Sequence, residues 1–198
     1  MRKKITRRVF CSMLLALPFS ARAAQQTKIP RLGYLIGSPI SGSSPRVEAF
    51  RQGLRELGYV EGKNIIIEWR SAEGNFDRLA ALAAELVRLK VDIIVTAGPA
   101  PTRAAKEATS TIPIVMAQDP DPVGTRFVDS LAHPGGNITG LSTLAPELNG
   151  KRLELLKEII PKLSRVAVFR SSTQPGNAQS LKEMELAAKA FGVKLQYL

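Results

Sequence analysis

The sequence predicts an α/β fold, a doubly wound parallel sheet forming one complete lobe and followed by the beginning of a second α/β lobe. Three observations carry this expectation. Short β-rich runs alternate with amphipathic helical stretches from Lys28 onward, a pattern that belongs to βαβ units and a parallel sheet. Five such runs fall within residues 28–144, enough for a small complete sheet. Residues 145–198 supply only two strands and two helices, too little to cover both faces of a parallel sheet. They read as a second lobe truncated at Leu198; the alternative is one seven-stranded sheet running through the chain.

The elements follow in order. Residues 31–36 form the first strand, and the loop 37–45 is rich in Gly, Ser and Pro. Val47, Phe50, Leu54 and Leu57 then recur at helical spacing until Gly58 stops the helix. The second strand is expected at 64–69, and Leu79, Ala83, Leu86 and Val87 mark the next helix. The third strand spans 92–96, a short helix 99–108 and the fourth strand 113–116. A helix near 123–131 and a turn at 134–137 lead to a fifth strand at 138–142, and 143–147 is the natural crossover. Residues 146–160 read as a helix closed by Pro161, 165–169 as a strand, 174–191 as a helix and 193–197 as a strand.

Ahead of this lies a segment of another kind. Arg2, Lys3, Lys4, Arg7 and Arg8 precede a short apolar run from Val9 to Phe19, and Ala21-Arg22-Ala23 has the small-x-small form of a cleavage site. Residues 1–24 therefore read as an export signal, too short in its apolar part for the roughly 20 residues of a membrane-spanning helix. Arg7-Arg8 fits a twin-arginine route as well as the ordinary secretory one, and the expected destination is the periplasm. Cys11, inside the apolar run, lacks the small residue before it that a lipoprotein acceptor needs.

Removal of this segment alters the bulk properties. Six of the 28 Lys and Arg residues precede Ala24 and none of the 17 acids does, so the net charge falls from +11 to +5. With no basic run interleaved with aromatics, nucleic acid is not an expected partner. The single cysteine leaves too, which excludes disulfides and thiolate chemistry from the remainder.

No nucleophile elbow, phosphate loop, dinucleotide fingerprint or zinc-helix motif is present, so neither cofactor nor metal is expected. His133 is the sole histidine and reads as a surface-loop residue. Asp119 and Asp121, each followed by proline, suit a rigid turn better than acid–base work. Trp69 shares strand parity with Ile65 and Ile67 and reads as packing. Asn137-Ile138-Thr139 has the form of a glycosylation sequon, without meaning behind a bacterial-type signal.

The binding expectation rests on the loops. In an open α/β sheet, ligands lie beyond the carboxyl ends of the strands where the strand order reverses. This points to Gly37-Ser38, Thr96-Ala97-Gly98-Pro99 and Ala117-Gln118-Asp119. Pro99 begins a helix whose start suits an anionic group.

The segments AFRQGLRELGY (49–59), EGKNI (61–65), LAAELV (82–87), TIPIV (111–115), DPVG (121–124), PGGNITG (134–140) and GKRLELLKE (150–158) resemble, in one order, the substrate-binding proteins of ABC importers, tryptophan/tyrosine branch. The resemblance implies a type I periplasmic-binding-protein fold that closes on a small ligand of the amino-acid kind. It also implies delivery to a permease driven by a separate ATPase, with membrane contact only through that permease. On this reading Thr96, Gly98 and Pro99 receive an anionic group, and Ser38, Gln118, Asp119 and Ser142 supply polar contacts, with Asp119 accepting an ammonium. Ser171 and Ser172 answer from the second lobe. The competing readings are an exported α/β hydrolase or reductase, which would need a catalytic set the sequence lacks, and a sensory or partner-docking lobe without transport.

Overall fold

In the computed structural model, which describes residues 28–41, 45–169 and 177–198, strand β1 (Arg31–Ile36) is hydrogen-bonded on both sides. It pairs in parallel with β2 (Ile66–Ser71) and with β3 (Ile93–Ala97). Strands β4 (Ile114–Asp119) and β5 (Ile138–Ser142) extend the sheet to give the order β2-β1-β3-β4-β5, parallel throughout. This is a doubly wound α/β sheet, as the alternating pattern requires. The expected signal at residues 1–24 lies outside the described residues, and no described helix is long and apolar enough to cross a membrane.

Strand alternation decides which helix covers which face. Leu32 and Tyr34 of β1, with Ile67 of β2 and Val95 of β3, point to the face covered by α1 (Pro45–Glu56), where Phe50 and Leu54 meet them. Leu35, Ile94 and Ile114 point the other way. They form the larger core with α2 (Leu79–Arg88) and α3 (Pro99–Ala108) through Leu82, Leu86, Ala104 and Ala105. Trp69 joins Ile65 and Ile67 on the α1 face, as their shared parity demands.

Three elements differ from the sequence expectation by two residues or more. The fourth strand, expected to end at 116, runs on to Asp119. The second strand begins at Ile66 rather than at 64, because Asn64 belongs to the preceding turn: its Oδ1 accepts from the Val60 amide and its Nδ2 donates to the Gly58 carbonyl. Residues 123–131 form no helix. The Asp121 carboxylate accepts the Gly124 amide, the Phe127 amide donates to the Pro122 carbonyl, and Arg126 takes a left-handed φ of 59°, so the chain closes into consecutive turns. Phe127 and Val128 still reach the core.

A separate two-stranded parallel sheet of β6 (Arg165–Val168) and β7 (Lys194–Tyr197) follows, with α4 (Ala145–Ile159) and α5 (Asn177–Phe191). Its buried centre is small, made of Leu153, Ala188 and Val193. Leu155, Leu156 and Ile159 of α4 remain exposed.

The passage between the two sheets is pinned to the end of β4. The Thr143 amide donates to the Asp119 carbonyl and the Ala145 amide to the Pro120 carbonyl, while Leu144 adopts φ 49°. Beneath it the Asp119 side chain is fully buried. One carboxylate oxygen accepts the Asp121 amide, and the other has no partner among the described residues, as is also true of Asp121 Oδ2. Burial, opposed by that amide and reinforced by the Asp121 charge, pushes the Asp119 carboxyl up to about 6 from 3.8.

Close approach fixes one glycine. Gly140 has φ 146°, and a Cβ there would lie 2.2 Å from the Met116 carbonyl oxygen on the neighbouring strand. Gly140→Ala should destabilise the fold by at least about 2 kcal/mol, seen as a fall of several degrees in Tm. Gly53, in α1 with open space around its Cα, is the contrast: Gly53→Ala should raise stability by about 0.5–1 kcal/mol. Asp119 predicts a pH effect. Because its folded pKa lies above the unfolded value, the native state binds the proton more tightly, and stability falls as pH rises from about 4 to 6. Asp119→Asn should abolish this component. Denaturant titrations at pH 4 and 6.5 should show the variant gaining on wild type by roughly 2 kcal/mol at the higher pH, at ~1.4 kcal/mol per pH unit between the two pKa values.

Candidate ligand-binding site

The chain leaves β1 toward β2 and leaves β3 toward β4, so the loops at their carboxyl ends diverge and open a crevice. A cavity of about 510 Å³ occupies it, within the usual size range of small-ligand pockets. The floor is built from side chains on the α1 face of the strands: Tyr34 and Ile36 from β1, Ala97 from β3 and Ala117 from β4. Helix α1 contributes Arg46, Val47, Ala49 and Phe50; the start of α3 contributes Pro99, Ala100 and Pro101. Gly37, Ser38, Gly98, Gln118 and Phe76 complete the rim.

Aromatic packing gives the floor its rigidity. The Tyr34 ring lies 5.1 Å from that of Phe50 and 4.8 Å from that of Trp69, and Phe50 meets Trp69 edge-on at 6.3 Å. Trp69 is held from outside, where its indole nitrogen donates to Glu61 and the Arg51 guanidinium lies 4.8 Å over its ring. Arg51 is fixed in turn by donation to Glu48 and Glu61. Tyr34 is a buried residue on the cavity wall. Burial raises its pKa above the ordinary value, and the nearby Arg46 charge works against that rise.

Charge in the cavity is one-sided. Arg46, in the first turn of α1, is the only formally charged side chain on the described wall, which holds no carboxylate. The α3 start is a sparser donor set than a helix terminus usually is: Pro99 and Pro101 carry no N–H, leaving those of Gly98 and Ala100 among residues 98–101. Gly98 takes φ 99° to turn the chain into the helix.

Four residues expected from sequence, Ser38, Gly98, Pro99 and Gln118, come together at this cavity. Thr96 does not reach its wall. Strand parity turns it to the opposite face, where its hydroxyl is 2.8 Å from that of Thr102, which donates to the Gly98 carbonyl. Thr96 thus braces the loop that the cavity uses. Asp119 is buried beneath the crossover and is absent from the cavity wall. Ser142 lines a second, smaller cavity of about 240 Å³ with Met116, Leu131 and Leu144. Ser171 and Ser172 lie outside the described residues. His133 is exposed in a turn. Among the described residues no cluster of His, Cys, Asp and Glu is able to hold a metal ion.

The sequence reading missed Tyr34, Arg46, Phe50 and Phe76. Tyr34 and Ile36 were accessible in principle, since they share parity with the strand end that opens into the crevice. Arg46 and Phe76 become visible only once two loops are seen to converge.

Comparison with known proteins places this geometry. Residues 39–198 match the family described as ABC transporter substrate binding protein. A tyrosine-binding protein of Clostridioides difficile is 33% identical over 127 residues, 64% of this chain but 36% of that protein. Among solved structures, a conserved domain protein of Vibrio cholerae superposes with a TM-score of 0.77 at 31% identity, covering 86% of this chain and 57% of that one. An ABC domain from Streptococcus pneumoniae in complex with L-Trp gives 0.75 at 25% identity, over 85% and 56% of the two chains. The chain thus spans little more than a third of the curated relative and somewhat over half of the two solved structures. The family is one of binding proteins rather than enzymes. With its doubly wound sheet and the match over residues 39–198, the chain belongs to the ABC transporter substrate-binding protein family.

Proposed function

We propose that this chain captures a small amphipathic carboxylate, an α-amino acid with an aromatic side chain, for an ABC importer. The observation that carries the reading is the cavity at the strand-order reversal, where the described lining residues set aromatic rings beside a single cation and no acid. Tyr34, Phe50 and Phe76 offer apolar surface to a ring, Arg46 offers its guanidinium to a carboxylate, and Ser38 and Gln118 supply hydrogen bonds. The tyrosine-binding relative and the L-Trp complex support a ligand of this class.

Residues 28–144 act as one lobe and 145–198 as the opening of a second, with the crossover at 143–145 as hinge. Ligand contacts to both sides favour the closed state. Ser142, Ser171 and Ser172 answer from the hinge and second lobe, while Thr96 and Asp119 support the loops and hinge without touching the ligand. Export is directed by residues 1–24, and the loaded protein delivers its cargo in the periplasm to a permease with a separate ATPase.

Trp69 provides the measurement. It is the single tryptophan of the chain and its ring packs against Tyr34 and Phe50 on the cavity floor. L-tyrosine or L-phenylalanine should shift its emission and raise Tm in proportion to occupancy. Arg46→Ala should weaken L-tyrosine binding by about 10-fold or more, ~1.4 kcal/mol, with Arg46→Lys retaining part of the affinity. The absence of any Tm or emission response to L-tyrosine, L-phenylalanine, L-tryptophan and L-leucine would remove the amino-acid reading.

A further inference from the structure

The rim residue Phe76 is unusual among the aromatics of the cavity. It is half exposed, at 50%, whereas Tyr34 is at 3%. It belongs to a 3-10 turn (Phe76–Arg78) just before α2, and its ring reaches across to the loop after β1. That reach is set by hydrogen bonds. The Ala72 amide donates to the Ile36 carbonyl at 2.9 Å, the Gly74 amide to the Gly37 carbonyl at 2.8 Å, and the Ser71 hydroxyl to the Ser38 carbonyl at 2.8 Å. Asn75 caps the 3-10 turn by accepting the Asp77 amide. The loops after β1 and β2 therefore form one unit, and Phe76 has a fixed origin.

One edge of its ring occupies the space that a side chain at Gly37 would need. A Cβ on Gly37 would fall 2.6 Å from Phe76 Cε1 and 3.2 Å from Cζ. Gly37 is buried, and its φ lies outside the left-handed range, so its backbone places no demand for glycine. What requires glycine there is the ring.

We propose that Phe76 sets the size of the side chain the cavity accepts, and that Gly37 is the positioning residue that seats its ring. This rests on the reading that the cavity takes an amino acid. A half-exposed phenylalanine on a cavity rim leaves apolar surface for a ligand to cover. Removing the ring, or pushing it out with a methyl group, enlarges the space beside Gly37, so a smaller ligand loses its contact while a larger one gains room. The two residues act through one ring, and their effects should not add.

The test compares Phe76→Ala, Gly37→Ala and the double variant with wild type in the full chain. Kd for L-phenylalanine and for L-tryptophan is read by calorimetry, after Tm has shown each variant folded. Each single variant should shift the ratio of the two Kd values toward L-tryptophan, by about 10-fold in Phe76→Ala. Gly37→Ala should shift it in the same direction, and the double variant no further than the larger single effect. A ratio within about twofold of wild type in Phe76→Ala, or an opposite shift in Gly37→Ala, overturns the inference while leaving the amino-acid reading intact. Additive shifts in the double variant overturn the role of Gly37. If Gly37→Ala does not fold, Phe76→Leu replaces it and should give a shift between wild type and Phe76→Ala. Wild type binding neither probe overturns the inference, and a further lack of response to L-tyrosine and L-leucine overturns the amino-acid reading with it.

Discussion

The two-sided parallel pairing of β1 is the constraint on which the site depends. Because β1 hydrogen-bonds to β2 on one edge and β3 on the other, the chain must leave the first and third strands in opposite directions. That divergence separates α1 from α3, which lie on opposite faces of the sheet, and the gap between their starts is the cavity. No special residue is needed to open it. What residues decide is its lining, and the alternation of side chains along β1, β3 and β4 hands that decision to Tyr34, Ile36, Ala97 and Ala117. The two alanines keep the floor low where β3 and β4 pass beneath, whereas Tyr34 raises an aromatic wall toward α1.

That wall is supported from behind. Tyr34 rests on Trp69, Trp69 is clamped by Arg51 and Glu61, and Arg51 is itself tied to Glu48 of the same helix. The chain of contacts runs from solvent to cavity without a flexible apolar link, so the rings facing the crevice are held before anything enters it. Preformed walls lower the ordering cost of binding. The carboxyl end of β4 differs: just past the cavity rim, Asp119 and Asp121 each keep one buried carboxylate oxygen with no partner among the described residues, below the crossover.

Much of this architecture was legible in the sequence where the signals are local. Strand β1 and helix α3 fall at the expected residues because Gly98 and Pro99 announce a helix start and the β-rich run at 31–36 is bounded by turn residues. Ser38, Gly98, Pro99 and Gln118 were legible because strand ends in such sheets follow a general rule. The helix expected at 123–131 failed because the apolar spacing of Val123, Phe127 and Val128 mimics a helix, whereas the Asp121 side chain and the left-handed Arg126 wind the chain into turns. Asp119 was illegible for another reason. The register shift between Met116 and Asp119 breaks the two-residue alternation of β4, so its face cannot be counted from the residues before it. Arg46 and Phe76 depend on long-range convergence of loops, which no local pattern encodes.

The prolines at the start of α3 have a chemical consequence of their own. Helix termini that cradle phosphate do so with a run of consecutive amides around a tetrahedral group. Here Pro99 and Pro101 alternate with Ala100, so the donors that remain are separated and few. A planar two-oxygen anion asks less of such a terminus than a phosphate does. Backbone chemistry alone thus makes this helix start a poorer phosphate cradle than an uninterrupted run of amides would be.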